Sequence, residues 1–399
     1  MVNIATRSFE EDTLERAANG ESITRDEAYR LVRFDGTLIP ALMDCASRIR
    51  LRHKGRMVSY SRKVFIPLTN LCRDKCGYCT FVKAPKHPEA RTMTPEEVLA
   101  VAEAGRKAGC KEALFSLGEK PEEVHPLARK HLEQLGYPSM TAYLIDMCRL
   151  VYRETGLLPH SNSGVLEREE VAQLKEVTVS MGLMLENISP RLLERGQAHY
   201  GCTGKAPELR IATMSYAGEM KIPFTTGILI GIGETPEERV DSLFAIKELH
   251  EEYGHIQEVI IQNFRAKHDT RMRGFKEPTA LDMVVTIAVA RLVLGGQMNI
   301  QAPPNLTPDA YQFYLTAGIN DWGGVSPVTK DFINPEKAWP KIVELKERTE
   351  EAGFTFRERL AIYPEYITEK PGYVNPSMRD TMLDWTDQDG YVREEETRW

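Results

Sequence analysis

The sequence predicts an α/β protein whose core is a TIM-type (β/α)8 barrel, and three features support this prediction. From Lys63 onward, short apolar segments typical of strands alternate with amphipathic segments typical of helices. Parallel strands need helical crossovers, so repeated strand–helix units indicate a parallel sheet. At four expected helix starts a hydroxyl residue is followed by a proline. The hydroxyl can accept a hydrogen bond from a free backbone amide of the first turn, and proline has no amide that would need a partner. These starts are Thr94-Pro95, Ser189-Pro190, Thr235-Pro236 and Thr307-Pro308.

Eight strands would close the barrel and place the chemistry on the loops that follow them, at their C-terminal ends. A six-unit open barrel is the alternative, because the last two predicted strands are the least well defined. The predicted strands are residues 64–69, 112–117, 157–160, 177–185, 224–230, 258–263, 299–301 and 318–320. We expect an N-terminal helical extension over 1–60, the barrel over 61–335, with a helical insertion at 119–156, and a C-terminal helical tail packed on the barrel over 336–399.

Composition and charge limit the classes of function. The chain has 399 residues, of which 42% are hydrophobic and 27% charged, as in ordinary globular proteins. Its formal charge of −7 argues against a nucleic-acid-binding surface, which needs a basic face. The start, Met1 to Arg7, has no apolar core typical of a signal peptide, and the apolar run from Leu281 to Leu294 is too short to span a bilayer. We therefore expect a cytoplasmic protein without a nucleic-acid or membrane partner.

Three cysteines directly after the first predicted strand form the most specific motif. Cys72, Cys76 and Cys79 have the spacing Cys-x3-Cys-x2-Cys. Three thiolates on a short loop can hold three irons of a cubane and leave the fourth iron without a protein ligand. A structural zinc site would need a fourth ligand, for which His87 is the nearest candidate, and no second Cys-x2-Cys exists. A zinc site and a chance cluster remain the alternatives.

This motif, placed after the first strand of a barrel, resembles that of the radical S-adenosylmethionine (SAM) superfamily. The resemblance implies a [4Fe–4S] cluster on Cys72, Cys76 and Cys79, with the open iron chelated by the amino and carboxylate groups of SAM. It also implies that Tyr78, within the motif, contacts the cofactor. One electron from the cluster would cleave the sulfonium bond of SAM and release a 5′-deoxyadenosyl radical. The three cysteines are then both metal ligands and catalytic residues, in a site that must exclude water.

Two later elements resemble SAM-binding motifs of the same superfamily. Leu117-Gly118-Glu119 resembles the Gly-Gly-Glu motif that binds the amino group, although leucine replaces the first glycine. The fifth strand and its exit resemble the element that lies against the adenine, where Gly227 and Gly231 would let the backbone approach the ring. An ordinary turn and a purely structural buried strand are the respective alternatives.

Glu186 ends the predicted fourth strand, and Arg210 lies in the helix before the fifth. By resemblance to the biotin-synthase-like branch, both are candidate ligands for the ribose or the methionyl carboxylate of SAM. An arginine fork matches a carboxylate well. An ordinary salt bridge is the alternative for each residue.

Polar residues after three other predicted strands are candidates for substrate contact. His160 and Asn162 leave the third strand, Asn263 leaves the sixth, and Asn320 and Asp321 leave the eighth. Amides and an imidazole suit a polar heterocycle with a sugar-alcohol tail. Because Asn and Asp also favour turns, turn chemistry is the alternative.

Longer stretches resemble the deazaflavin (FO) synthase family, specifically the subunit that closes the deazaflavin ring. The likeness extends from about residue 20 to 365, over nearly the whole chain. The stretches that carry it are residues 61–68, 110–115, 180–186, 261–267, 301–306 and 321–327.

The family resemblance implies a specific reaction. A partner radical SAM subunit would join tyrosine to 5-amino-6-ribitylaminouracil, and this chain would cyclise the adduct to 7,8-didemethyl-8-hydroxy-5-deazariboflavin with release of ammonia. One cysteine motif and room for one barrel imply that the partner is a separate chain, and a flavodoxin- or ferredoxin-type protein is the expected electron donor. The alternatives are another enzyme of the same branch, either the tyrosine-coupling subunit or a menaquinone-pathway enzyme, and a non-catalytic Fe–S protein.

Overall fold

Eight parallel strands form a closed barrel. The structure, a computed structural model, describes residues 8–33 and 36–393, so the expectation about Met1 to Arg7 lies outside the described residues. The strands run in chain order around the barrel, and a pairing between β1 and β2 closes it. They are β1 Met57–Pro67, β2 Glu112–Ser116, β3 Leu158–Asn162, β4 Ser180–Gly182, β5 Phe224–Ile230, β6 Ile256–Asn263, β7 Ile300–Gln301 and β8 Asp321–Val325.

The (β/α)8 prediction is confirmed, and the first seven predicted strands overlap the observed ones. The eighth prediction, residues 318–320, is wrong. Gly318 has a φ of +116° and ends a helix, and the Ile319 amide donates to the Tyr314 carbonyl at 3.1 Å. These residues therefore form the turn that ends a helix, a position that favours glycine, and β8 begins only at Asp321.

Helices surround the barrel and also form both terminal regions. Capping boxes are present at Thr24, Thr94 and Thr235, whereas Pro190 begins only a 3₁₀ turn and no α-helix starts at Pro308. Among the described residues, no helix has the length and apolar character needed to cross a bilayer. The helices are α1 Phe9–Ala18, α2 Arg25–Val32, α3 Ile39–Lys54, α4 Pro95–Lys107, α5 Pro126–Leu135, α6 Met140–Thr155, α7 Arg168–Lys175, α8 Pro207–Glu219, α9 Pro236–Tyr253, α10 Ala280–Leu294, α11 Gln312–Ala317, α12 Ile342–Glu351, α13 Pro364–Thr368 and α14 Arg379–Trp385.

The C-terminal region is helical, as expected, but it also extends the sheet. A ninth strand, β9 (Thr355–Glu358), pairs in parallel with the first half of β1. The chain then crosses the N-terminal end of the barrel. There the carbonyl of Ala361 accepts hydrogen bonds from Ser180 Oγ at 2.7 Å and from Gln257 Nε2 at 3.1 Å. The C-terminal region thus forms the floor of the barrel.

Candidate active site

The cysteine loop follows β1 at the C-terminal end of the barrel and is held by two neighbouring loops. The Gly77 amide donates to the Ala198 carbonyl at 2.7 Å, and the Met272 amide donates to the Gly77 carbonyl at 3.0 Å. All three motif cysteines line one cavity of about 260 Å³, which we call the outer cavity. Its other polar lining residues are Asp74, Tyr78, Glu119, Asn162, Glu186, Lys205, Arg210, Gln262, Asn263, Arg265, Lys267 and Asn334, with Ser116 at its inner edge.

The environment of the cysteines fits an iron–sulfur cluster. Cys72 Sγ accepts backbone hydrogen bonds from Asp74 at 3.3 Å and from Glu119 at 3.1 Å, which would stabilise a thiolate bound to iron. Burial raises the pKa of Cys79 to about 11, so the metal-free thiol is neutral and iron binding would displace its proton. Among the described residues, no three Cys, His, Asp or Glu side chains are gathered around one metal position. The three cysteines lie on one loop and line one cavity, which fits a cubane, because it binds each thiolate to a different iron.

Gly118 allows the second strand to pass against the cysteine loop. A β-carbon at this position would lie 2.6 Å from the carbonyl carbon of Leu71 and 2.8 Å from Cys72 Cβ, which no real side chain tolerates. The Gly118 amide instead donates to the Thr69 carbonyl at 2.9 Å. Glu119, the next residue, is buried at the cavity wall and lies 2.6 Å from the guanidinium of Arg73. The partial Gly-Gly-Glu motif therefore keeps the glycine that the close approach requires.

Asp74 and Glu119 form a buried acidic corner of the outer cavity. A β-carbon on Gly204 would lie 2.6 Å from Asp74 Oδ2 and 2.5 Å from Glu119 Cδ, so both carboxyl groups converge on this glycine. Burial and the nearby Glu119 carboxylate raise the pKa of Asp74. Two neighbouring buried carboxyls favour a cationic ligand, because an ammonium group relieves their repulsion. This corner can bind the amino group of SAM.

Two cations lie beside the acidic corner: Arg210, which is buried, and Lys205, which is largely buried. Arg210 Nε donates to the Gly204 carbonyl at 2.8 Å, and its guanidinium also contacts the Met184 carbonyl and lies 4.0 Å from Glu119 Oε2. Lys205 Nζ lies 2.6 Å from Glu186 Oε1. Together the two cations can bind a carboxylate group, as the sequence predicts for Arg210.

Glu186 occupies a strained backbone position beside these cations. Its φ of +63° lies in the left-handed region, which is unusual for a residue other than glycine and is concentrated at functional sites. Burial opposes ionisation of this carboxyl, but the ammonium of Lys205 and the guanidinium of Arg210 keep its pKa below the usual value. Glu186 is therefore a buried carboxylate at the cavity wall and can accept hydrogen bonds from ribose hydroxyls.

Tyr78 is held in place by a histidine that the sequence analysis did not identify. The Tyr78 hydroxyl lies 3.1 Å from His199 Nε2, and both side chains are buried. Burial lowers the pKa of His199 to about 3 and raises the pKa of Tyr78. The pair is therefore neutral, and its hydrogen bond orients the tyrosine ring at the wall of the outer cavity.

Gly227 and Gly231 are not among the residues that line the outer cavity. A β-carbon on Gly227 would lie 2.8 Å from Ile260 Cβ, and one on Gly231 would lie 2.5 Å from Pro278 Cδ. Gly231 also has a φ of +90°. Both glycines allow close packing of β5 and its exit on neighbouring segments, and their contact with adenine stays a prediction.

A second cavity of about 200 Å³, the inner cavity, lies in the barrel lumen and contains the predicted substrate residue His160. Burial lowers the pKa of His160 to about 4, so its imidazole is neutral at physiological pH. The inner and outer cavities are continuous, because they share Phe81, Ser116, Asn162, Leu183, Met184, Gln262, Ile333 and Asn334. Asn162 therefore stands between the two cavities, and Asn263 lines the outer one.

The structure does not bring Asn320 and Asp321 to either cavity wall. Asn320 precedes β8 and Asp321 is its first residue, so the prediction that they leave its C-terminal end is wrong. Asn320 Oδ1 accepts hydrogen bonds from the Arg291 guanidinium at 2.9 Å and from the Ile300 amide at 3.0 Å. Asp321 is fully buried and binds Arg359 through an Nε–Oδ2 contact of 2.7 Å. Both residues organise the N-terminal end of the barrel.

Comparisons with known proteins show the family of this chain. The radical SAM superfamily model matches residues 66–246. The 7,8-didemethyl-8-hydroxy-5-deazariboflavin synthase of Methanopyrus kandleri is 50% identical over 337 residues, which are 84% of this chain and 100% of that protein. The chain belongs to the 7,8-didemethyl-8-hydroxy-5-deazariboflavin synthase family. It is a radical SAM enzyme, and enzymes of this superfamily use a [4Fe–4S] cluster and SAM.

Other relatives differ in length or only share the fold. The FO synthase of Mycobacterium tuberculosis H37Rv is 47% identical over 382 residues, but this chain spans only 45% of its length. The [FeFe]-hydrogenase maturase HydG from Carboxydothermus hydrogenoformans has a TM-score of 0.74 at 17% identity, covering 88% of this chain and 80% of that one. Methylornithine synthase (PylB) has a TM-score of 0.67 at 19% identity, covering 86% and 96%. These two structures show the same barrel fold.

Several residues of this radical SAM site were missed by the sequence analysis. Asp74 could have been found, because it lies inside the cysteine motif. Lys63 and Glu112 also left a readable signal, since charged residues in otherwise apolar strands of a barrel must find partners in its interior. Lys205 and Arg359 left none, because only the folded chain brings them to the cavities.

Proposed function

We propose that this radical SAM enzyme catalyses the ring-closing step of deazaflavin formation. Its substrate is the adduct of tyrosine and 5-amino-6-ribitylaminouracil, and its product is 7,8-didemethyl-8-hydroxy-5-deazariboflavin, formed with release of ammonia. The proposal rests on the similarity to the Methanopyrus kandleri synthase, which this chain covers in full. The continuity of the two cavities supports it, because it offers adjacent compartments for SAM and for a second organic molecule.

Opposite charges in the outer cavity can orient SAM. The bound cluster and SAM supply the radical chemistry. Asp74 and Glu119 hold the amino group, Arg210 and Lys205 hold the carboxylate, and Glu186 accepts hydrogen bonds from the ribose. Because these groups are buried, their charge-assisted hydrogen bonds are stronger than equivalent bonds in water.

The inner cavity keeps the adduct close to SAM and away from water. In the proposed reaction a hydrogen atom of the adduct leaves in 5′-deoxyadenosine, so the two molecules must meet where the cavities join. Asn162 and Gln262 line both cavities and can orient the polar groups of the adduct at this junction. The enclosing barrel excludes competing hydrogen donors.

A separate radical SAM chain supplies the adduct in this proposal, and a small electron carrier of the flavodoxin or ferredoxin type supplies the reducing electron. We also propose that the chain consists of an N-terminal helical extension over residues 1–60, the barrel over 61–335 and a C-terminal helical tail over 336–399.

Product analysis tests the function. The protein is purified without oxygen, its cluster is reconstituted, and reductant, SAM and the adduct made by the partner subunit are supplied. Deazaflavin fluorescence and 5′-deoxyadenosine, both dependent on this chain, support the proposal. Formation of 5′-deoxyadenosine without deazaflavin would assign the enzyme to another substrate of the same branch. If SAM is not cleaved by a fully loaded cluster, the non-catalytic alternative is correct.

A further inference from the structure

The inner cavity is lined by charged and polar side chains that have no role in the reaction proposed above. All eight barrel strands contribute to its wall, and the segment after β9 contributes its floor. Two ion pairs face this space. Lys63 Nζ lies 2.9 Å from Glu112 Oε1, and Arg359 Nη2 lies 3.1 Å from Glu258 Oε1. All four side chains are buried and line the cavity, so their charges interact with one another and with any ligand that the cavity binds.

The remaining oxygens of these carboxylates are also held in place. Ser61 Oγ donates to Glu112 Oε2 at 2.6 Å, and Thr225 Oγ1 donates to Glu258 Oε2 at 3.0 Å. Such bonds fix the side-chain positions before a ligand enters, which lowers the entropic cost of binding. The cavity therefore presents a rigid set of hydrogen-bond donors and acceptors.

The charge pattern of the inner cavity selects against an anionic ligand. The two lining cations, Lys63 and Arg359, are outnumbered by the carboxyl groups of Glu112, Glu258 and Asp331, so the lining has no net positive charge to bind a phosphate. A neutral ligand with many hydroxyl groups fits better, because each hydroxyl both donates and accepts a hydrogen bond. Hydrogen bonds from hydroxyls to ionised groups are also stronger than those between neutral groups.

An aromatic wall and an unused donor complete the cavity. Trp339 stacks on Phe65 with ring centroids 5.4 Å apart and an interplanar angle of 3°. Its Nε1 is buried and has no hydrogen-bond partner among the residues that the structure describes. A buried unpaired donor is costly, and a ligand oxygen in the cavity would satisfy it.

We propose that the inner cavity is the binding site for the sugar-alcohol chain of the substrate, with the two ion pairs and Trp339 Nε1 as its hydrogen-bonding groups. This inference rests on the proposed function, which supplies a substrate with a ribityl chain. It also gives the C-terminal region a role in substrate selection, because Arg359 and Trp339 both come from beyond residue 335. The heterocycle of the adduct then faces the outer cavity and SAM.

Ligand binding without turnover tests the proposal. The reconstituted enzyme is titrated, with SAM and without reductant, with two fluorescent probes: the deazaflavin product and the same chromophore with a methyl group in place of the ribityl chain. The wild-type enzyme should bind the ribityl probe at least about tenfold more tightly, as expected for one or more charge-assisted hydrogen bonds. Equal affinities would overturn the proposal and leave the proposed function intact. Failure of both probes to bind would overturn both.

Variants assign the preference to named groups. Glu258→Gln should reduce affinity for the ribityl probe about tenfold and leave the methyl probe unchanged. Because this change could disturb the buried ion pair, Trp339→Phe provides a milder test, since it keeps the aromatic stack and removes only the N–H donor. Trp385→Phe, outside the cavity, is the matched control. An unchanged probe preference in well-folded Trp339→Phe and Glu258→Gln would overturn the assignment.

Discussion

Replacing Gly118 with alanine tests how closely the second strand must approach the cysteine loop. The new methyl group would lie 2.6 Å from the carbonyl carbon of Leu71, whereas ordinary contact begins at 3.4 Å. The carbonyl oxygen of Leu71 would lie closer still, so the loop and the strand must separate by more than about 0.8 Å; the groups in the way are backbone and Cys72 Cβ, which cannot rotate aside. Overpacking of this kind costs about 1–3 kcal/mol of stability.

The displacement also moves Cys72, the predicted cluster ligand, relative to Glu119. A shift of about 1 Å in a reacting geometry costs on the order of 100-fold in rate. We expect Gly118→Ala to lower SAM cleavage by about this factor and to weaken SAM binding. Iron content, SAM affinity by titration and 5′-deoxyadenosine formation are the measurements.

The matched control is Gly372→Ala, where a β-carbon meets nothing within 4 Å and φ is ordinary. The free energy of unfolding of this control variant should differ from that of the wild type by less than about 0.5 kcal/mol. Wild-type SAM affinity and cleavage in Gly118→Ala would refute the argument from close approach.

Three further predictions concern the cluster, SAM and pH. Cys76→Ala should lose both the cubane, measured as iron and sulfide content, and SAM cleavage; full iron content would contradict the ligand assignment. Arg210→Lys keeps the positive charge but removes the planar guanidinium, which can donate two hydrogen bonds to one carboxylate. We therefore expect SAM to bind about 10- to 100-fold more weakly, with iron retained. An unchanged SAM affinity would make this arginine purely structural. Burial lowers the pKa to about 3 or 4 in His160, His199, His250 and His255. Below pH 6.5 the unfolded chain therefore binds more protons than the folded one, so stability falls as the pH falls. Between pH 6.5 and 5.5 the free energy of unfolding of the metal-free protein should fall by about 1 kcal/mol for each of these four histidines. Equal denaturant midpoints at the two pH values would contradict this prediction.

Many residues of the candidate site could be predicted from the sequence, because their positions depend on local sequence. Cys72, Cys76 and Cys79 lie on one loop, and Gly118-Glu119 directly follows a strand, so the barrel rule alone brings them to the same end. Arg210 and Glu186 flank the fifth strand, and both line the outer cavity. Gly227 and Gly231 could also be recognised by their motif, but the motif did not show which surface of the strand faces the cavities, and neither glycine lines the outer or the inner cavity.

Asn320 and Asp321 show where the linear reading failed. Their polar, turn-forming character is equally compatible with either end of a strand, so a shift of three residues in the boundary moved them to the opposite end of the barrel. Gly318 decides this boundary, because its left-handed conformation ends α11 and delays β8. Such boundaries depend on helix-capping geometry, which a short polar stretch does not specify.

The sequence by itself determined the fold class, the cluster loop and the family, because each depends on residue types at short fixed spacing. Only the tertiary structure decided the composition of the inner cavity. Lys63 and Glu112 face each other because β1 and β2 pair in register, and Arg359 reaches Glu258 because the chain after β9 crosses the barrel floor. These contacts join residues about fifty and about one hundred positions apart, so they depend on packing of the whole barrel, and no local pattern specifies the partners.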